Sequence, residues 1–183
     1  MDLHNSLQIA YNIPGEMWPS ELVWLYHNLE KSKVHVEIGT FCGRSMFATC
    51  AGMKKESKVI CVDANLGYTA PVSWIQNVRK STIEMAKSLT GVEVQLIESY
   101  SLDAARSVHN SGQTIDSIFI DGDHNVAEVT GDIKAWMPLL RPGGLICGHD
   151  YWAQHTGVML AVQNEFFGRF QVAENTRIWW ANK

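Results

Sequence analysis

The segment Val34-His35-Val36-Glu37-Ile38-Gly39-Thr40-Phe41-Cys42-Gly43-Arg44-Ser45 decides how the rest of the chain is read. A short β-branched run predicts a strand. It ends on an acid, two glycines bracket the turn, and helical spacing through Met46, Phe47 and Cys50 follows at once. Glycine permits backbone conformations and close approaches that a Cβ would block. A helix N-terminus beyond such a turn presents free N–H groups to an anionic part of a ligand. The simpler alternative is a turn whose glycines only let strand and helix pack closely.

Strand and helix signals alternate outward from this segment. Further β-branched runs lie at Val59–Val62, Val92–Ile97, Ile115–Ile120 and Leu145–Cys147. Helical spacing predicts helices from Pro19, from Gly43, over Val72–Leu89 before Gly91, over Leu102–Val108, over Val126–Leu140 before Pro142-Gly143-Gly144, and over Val158–Phe167. Phe170–Ala173 and Arg177–Trp180 flank Glu174-Asn175-Thr176 and read as a hairpin. The expectation is an α/β fold: a Rossmann-like, seven-stranded, mostly parallel sheet with a C-terminal antiparallel hairpin and helices on both faces. The 183 residues read as one domain, with 1–32 as an N-terminal helical extension.

Composition narrows the function classes. The chain is 46% hydrophobic and 19% charged, which excludes a disordered segment. A net charge of −4 leaves no chain-wide basic footprint for nucleic acid. No apolar run approaches the roughly 18 residues of a membrane span. Cys42, Cys50, Cys61 and Cys147 are scattered without a C-x-x-C pair, as expected of small buried hydrophobes in a reducing cytoplasm. The N-terminus has no basic n-region or continuous apolar stretch, so no signal peptide is expected. The apolar stretch through Trp24 is a candidate homodimer contact.

Ligands in such sheets bind outside the carboxyl ends of the strands. The first turn is G-x-x-x-G, not the G-x-G-x-x-G of dinucleotide enzymes. The carboxylate of Glu37 would repel a pyrophosphate and suits a ligand with a cationic end, such as S-adenosylmethionine. Asp63 ends the second strand 20 residues beyond Gly43, where an acid can accept bonds from both ribose hydroxyls. A turn aspartate is the alternative. Ser101, after the third strand, can line an adenine pocket or cap a helix. The fourth strand ends Asp121-Gly122-Asp123-His124-Asn125, the densest polar cluster, in which Asn125 and Glu128 have capping-box spacing. The fifth ends Gly148-His149-Asp150-Tyr151. Asp121, His149 and Asp150 converge if these strands are neighbours. Two carboxylates and an imidazole can hold a divalent cation with positions left open, or can simply bond one another.

Taken together and in this order, VEIGTFCGRS, IFIDGDH and LLRPGGLICGHDY resemble class I S-adenosylmethionine-dependent methyltransferases. Within them the chain is similar to small bacterial macrolide-sugar-type O-methyltransferases, and more distantly to catechol O-methyltransferase. The likeness runs from about Val34 to Trp180. It implies that Glu37, Gly39, Phe41, Gly43 and Ser45 hold the methionine end, Asp63 the ribose and Ser101 the adenine, with Asp121 shared between cofactor and metal. It implies a magnesium or manganese ion on Asp121, His149 and Asp150. Those relatives carry Asp or Asn where this chain has His149, which leaves manganese, zinc or no metal open. His124 falls where catechol O-methyltransferase has its lysine base, and an imidazole can serve there.

The expected activity is therefore methyl transfer to a hydroxyl of a small molecule or sugar, with Asp121 and His124 catalytic. Tyr68, Trp74 and Trp152 are candidate pocket walls or lid-packing residues. His155-Thr156-Gly157 reads as the start of a helix capped by Thr156. Rival readings are a nicotinamide-dependent oxidoreductase, which lacks its glycine pattern and a Tyr-x-x-x-Lys base here, and a non-catalytic cofactor-binding module. An amino-methyltransferase of nucleic acids would carry N/D-P-P-Y/F where this chain has Asp121-Gly122-Asp123-His124.

Overall fold

The computed structural model describes residues 1–66 and 70–183. Its strands are β1 (Val34–Ile38), β2 (Lys58–Val62), β3 (Glu93–Ile97), β4 (Ile115–Ile120), β5 (Leu140–Gly148), β6 (Gln171–Val172) and β7 (Trp179–Asn182). They form one sheet in the order β3-β2-β1-β4-β5-β7-β6. The first five pair in parallel, and β7 runs antiparallel to both β5 and β6. The helices are α1 (Leu3–Asn12), α2 (Pro19–Asn28), α3 (Arg44–Gly52), α4 (Val72–Thr90), α5 (Ser101–Asn110), α6 (Val126–Trp136) and α7 (Thr156–Phe166). This is the architecture expected from the alternation.

The central strands are almost wholly buried because both faces of the sheet are covered. On one face Leu22, Leu25, Leu29, Phe47 and Ile83 form a core with α1–α4. On the other, Ala104, Ile133, Trp136 and Val162 do so with α5–α7. The N-terminal segment 1–32 forms α1 and α2. Its Leu22, Leu25 and Leu29 are fully buried inside the chain. Each contributes roughly 2 kcal/mol by leaving water.

Three boundaries differ from expectation. Helix α6 stops at Trp136 and a 3-10 turn over Met137–Leu139 follows. Pro138 lacks an N–H and its ring crowds the preceding turn, so the helix cannot run to Leu140. Arg141-Pro142-Gly143-Gly144 is accordingly not a helix stop. It is an irregular stretch within β5, where the register on β4 slips between Ile115↔Leu140 and Ser117↔Leu145. The C-terminal hairpin is shifted: β6 is only Gln171–Val172, and β7 starts at Trp179 rather than Arg177, whose N–H is spent on Glu21 Oε1 at 2.9 Å. Thr156 is the first residue of α7, not its cap, which is His155.

His35 and Glu37 alternate with Val36 and Ile38 along β1, so they enter the first-face core as buried polar groups. His35 Nδ1 lies 2.7 Å from Ser117 Oγ, and Nε2 has no partner. Burial pushes the His35 pKa down to about 3 from an ordinary 6.5. Below pH 6.5 the unfolded chain takes up a proton that the folded chain refuses until about pH 3, so stability falls with pH across that window. The expected loss is on the order of 4 kcal/mol. Urea midpoints of wild type and His35→Gln at pH 7 and pH 4 measure it, and equal slopes for the two would refute it.

Candidate active site

The strand order reverses between β1 and β4, and a ligand crevice forms at such a switch point. Backbone bonds align the strand ends there. Gly39 N–H donates to Val62 O at 2.8 Å, Asp121 N–H to Ile38 O at 2.8 Å, and His149 N–H to Ile120 O at 3.0 Å. The residues after β1, β2, β4 and β5 therefore surround one cavity of about 700 Å³.

The glycine turn forms its near wall. Gly39 has φ +85°, and a Cβ there would sit 2.0 Å from the Asp121 carbonyl oxygen. Gly43 has φ +91° and caps α3, so the free N–H groups of Arg44 and Ser45 begin at the cavity wall. Gly39, Phe41 and Ser45 line the cavity. Glu37 lies behind that wall rather than on it, wholly buried, with the hydroxyls of Ser45 and Thr40 beside it and no well-aligned hydrogen bond to either carboxylate oxygen among the described residues. Burial and the neighbouring Asp121 carboxylate push its pKa up to about 8.

Asp63 lines the cavity after β2. Its Oδ2 accepts the Phe41 N–H at 2.7 Å and pairs with Arg79 Nη1 at 3.1 Å. Its Oδ1 accepts the Asn65 N–H at 2.8 Å. A carboxylate has about four acceptor positions, so Asp63 keeps room for one ligand hydroxyl rather than two. Arg79 is fully buried; it also donates to Phe41 O at 3.1 Å, to Asn65 Oδ1, and pairs with Glu98 at 3.3 Å. It ties the glycine turn to the ends of β2 and β3. Its place was visible as a charge on the apolar stripe Ile75–Arg79–Ile83 of α4.

Ser101 reaches the cavity at the start of α5, where Tyr100 is the cap residue. Its hydroxyl accepts the Trp136 Nε1–H at 2.8 Å, and Asp132 stands beside it. The cavity there is also lined by Tyr100 and by the buried Asp132, whose pKa burial raises to about 6. Trp74 and Trp152 are not on the lining, and Phe41 and Tyr100 supply the aromatic wall among the described residues. Tyr68 lies outside the described residues.

Asp121, His149 and Asp150 do converge. His149 Nδ1 lies 3.3 Å from Asp121 Oδ1 and 3.3 Å from Asp150 Oδ1. The other ring nitrogen, Nε2, lies 3.0 Å from Glu21 Oε2, off the N–H axis. Burial disfavours a charge on this ring, but Asp121, Asp150 and Glu21 outweigh it and raise its pKa. Burial, with the neighbouring Asp150 carboxylate, raises the Asp121 pKa against the opposing pull of His149. Asp150 has φ +58°, in the left-handed region. Burial disfavours its carboxylate, yet hydrogen bonds from His124 and His149 prevail and lower its pKa. His124 Nε2 lies 2.9 Å from Asp150 Oδ2, and that bond raises the His124 pKa. The His155 ring lies 4.0 Å from the His124 ring. Gly157 allows this approach, since a Cβ there would stand 2.2 Å from the His124 carbonyl oxygen.

Glu21 and Arg177 complete the cluster, and sequence reading passed both over. Arg177 meets Glu21 through two contacts of 2.9 Å and reaches Asp150 Oδ1 at 3.5 Å. Its guanidinium packs against the edge-to-face pair of Trp18, 4.3 Å away, and Trp152, 5.3 Å away. Burial opposes ionisation of Glu21, but His149 and Arg177 hold its pKa down to about 2. Glu21 had one sequence signal, its position three residues after Trp18 at a Pro19 helix start. It accepts the Trp18 N–H at 2.6 Å. Arg177 had none.

Comparison with known proteins fits this geometry. Residues 36–151 match the methyltransferase domain family. The protein R132 of Acanthamoeba polyphaga mimivirus is 32% identical over 130 residues, 69% of this chain. The chain spans 56% of that relative's length. Among solved structures, an O-methyltransferase from Bacillus cereus in complex with SAH superposes with a TM-score of 0.71 at 20% identity, covering 99% of this chain and 90% of that one. TomG from Streptomyces achromogenes, in complex with SAM, gives 0.68 at 15%, covering 99% and 89%. The calicheamicin enzyme CalS11, a TDP-rhamnose 3'-O-methyltransferase, gives 0.65 at 12%, covering 98% and 92%. Carrying the family's sequence pattern over residues 36–151 on a sheet of this order, the chain belongs to the class I methyltransferases.

Proposed function

We propose that this chain transfers the methyl group of S-adenosylmethionine to a hydroxyl oxygen of a small molecule or sugar, at a site that also holds a divalent ion. The observation that carries this reading is the position of Asp121. Its backbone packs on the glycine turn at Gly39, and its carboxylate faces His149 and Asp150. One residue thus joins the side of the cavity suited to the cofactor to the side rich in carboxylates and imidazoles.

The residues fit S-adenosylmethionine. Glu37 is a buried carboxylate without a charged partner among the described residues, beside Ser45 and Asp121, both of which line the cavity, and a ligand ammonium there would offset its burial. The α3 N-terminus suits the methionine carboxylate. The free acceptor position on Asp63 suits a ribose hydroxyl. The SAH- and SAM-bound neighbours support the same cofactor, and CalS11 supports a sugar-like acceptor.

The ion fits too. Asp121, His149 and Asp150 each offer a ligand atom, and these atoms lie within 4.8 Å of one another. One imidazole with two carboxylates suits manganese or zinc as well as magnesium. When bound, the ion would polarise the acceptor hydroxyl. The chain's own part is alignment and proton transfer. The acceptor oxygen attacks the methyl carbon, the carbon–sulfur bond breaks toward S-adenosylhomocysteine, and the hydroxyl proton leaves for His124. Nε2 of that ring faces Asp150, which leaves Nδ1 to receive the proton. Such a base contributes about 10²–10⁴-fold, and alignment about 7–11 kcal/mol.

Calorimetry with S-adenosylmethionine and S-adenosylhomocysteine tests the cofactor. Production of S-adenosylhomocysteine over a panel of hydroxylated acceptors, with metal removed and restored, tests the reaction. No heat with either nucleotide on folded protein would end the proposal. Full turnover in metal-free protein would remove the ion from it.

Glu37→Gln separates a binding role from a structural one. Between pH 4.5 and 8 the unfolded chain ionises Glu37 while the folded chain keeps it protonated, so stability falls as pH rises. Glutamine removes that penalty. The variant should melt no lower than wild type at pH 8 and bind S-adenosylmethionine about 10–100-fold more weakly, the value of a charged hydrogen bond. Unchanged affinity would take Glu37 out of the cofactor site.

A further inference from the structure

Among the described residues, His124, His149 and His155 lie 2.9, 3.3 and 3.9 Å from Asp150, and His149 has a buried carboxylate behind its ring. Glu21 Oε2 stands 3.0 Å from His149 Nε2, an ion-pair contact off the N–H axis, on the side away from Asp121 and Asp150. Metal-bound histidines nearly always have a carboxylate or carbonyl on the second ring nitrogen, which fixes the ring and leaves the first nitrogen for the metal. We propose that Glu21, contributed by the N-terminal helix α2, is the positioning residue that makes His149 a metal ligand through Nδ1. This rests on the divalent-ion reading of Asp121, His149 and Asp150.

Three features make Glu21 a rigid partner. It is wholly buried. Its two oxygens take the Trp18 N–H at 2.6 Å, the Arg177 N–H at 2.9 Å and both Arg177 side-chain contacts at 2.9 Å. Arg177 in turn packs against the rings of Trp18 and Trp152 and donates to the Glu16 carbonyl at 2.8 Å. The same guanidinium lies 3.5 Å from Asp150 Oδ1, so one cation touches both Asp150 and the carboxylate behind His149. Residues near both chain ends, Glu21 and Arg177, thereby meet behind the strand-end site. A nitrogen ligand held this way favours manganese or zinc over magnesium, which prefers oxygen donors.

The test is Mn²⁺ binding to full-length protein, read by electron paramagnetic resonance of free Mn²⁺. The nitrogen modulation of bound Mn²⁺ reports whether an imidazole is a ligand. Wild type should bind Mn²⁺ more tightly than Mg²⁺ and show the nitrogen signal. Glu21→Gln should bind Mn²⁺ about 10–100-fold more weakly, with the signal reduced. If it does not fold, Glu21→Gln combined with Arg177→Met removes the buried charge pair together and is read the same way. Wild type that binds no Mn²⁺ would overturn the ion reading itself. Wild-type binding with the same affinity and signal in the folded Glu21 variant would overturn only the role of Glu21.

Discussion

Asp121→Asn should abolish methyl transfer while leaving the fold in place. Asparagine keeps the side-chain shape and the backbone N–H that donates to Ile38 O at 2.8 Å. It also keeps the carbonyl that packs on Gly39. What it removes is an anionic oxygen 3.3 Å from His149 Nδ1, in a buried site where charge is poorly screened. A loss of about 10³-fold in kcat, or roughly 4 kcal/mol of barrier, is expected. Melting temperature should fall, because His149 loses one of its buried carboxylate partners, while S-adenosylmethionine affinity should change less than turnover, because the glycine turn and Asp63 are untouched. The decisive measurement is single-turnover rate at saturating cofactor. Turnover near the wild-type rate would remove Asp121 from the catalytic machinery.

Gly39→Ala should produce the largest loss of stability of any single methyl addition near the site. The new Cβ would meet the Asp121 carbonyl oxygen at 2.0 Å and carbon at 2.5 Å, and Gly122 N at 2.8 Å. All three are backbone atoms, so no side chain can rotate away. The φ of +85° adds the usual penalty for a residue with a Cβ. Together these should cost about 3 kcal/mol or more. For a domain of this size that is roughly 6–12 °C of Tm. Relief by separating the β1 and β4 turns would open the switch point, so cofactor affinity should fall with stability. A variant with wild-type Tm and affinity would show that the close approach is not required.

Much of this was legible in order along the chain. The runs at Val34–Ile38 and Ile115–Ile120 coincide with strands because their β-branched residues suit a strand covered on both faces, even with His35, Glu37, Asp116 and Ser117 among them. Asp63, Asp121 and Asp150 could be placed at one sheet edge because each directly follows a parallel strand, and parallel strands end together. The Val126–Leu140 helix was overdrawn although Pro138 stood inside it; helical spacing was weighed above the missing N–H. The Thr156 cap was misplaced by one residue for lack of any local competitor to His155.

Charge spacing along the chain could not show what lies behind the strand ends. Residue type and order determined a glycine turn after an acid-ended strand, the seven-stranded sheet and the convergence of Asp121, His149 and Asp150, because these follow from periodicity and from where parallel strands stop. Tertiary structure alone decided that Arg79 and the Phe41 and Asn65 N–H groups occupy most of Asp63, that Glu37 sits behind the cavity wall, and that Glu21, paired with Arg177 156 positions away, stands beside His149. Those pairings depend on which helix covers which face and how closely backbones pass. Such distances are set by packing across the whole core, and no short-range pattern in the chain encodes them.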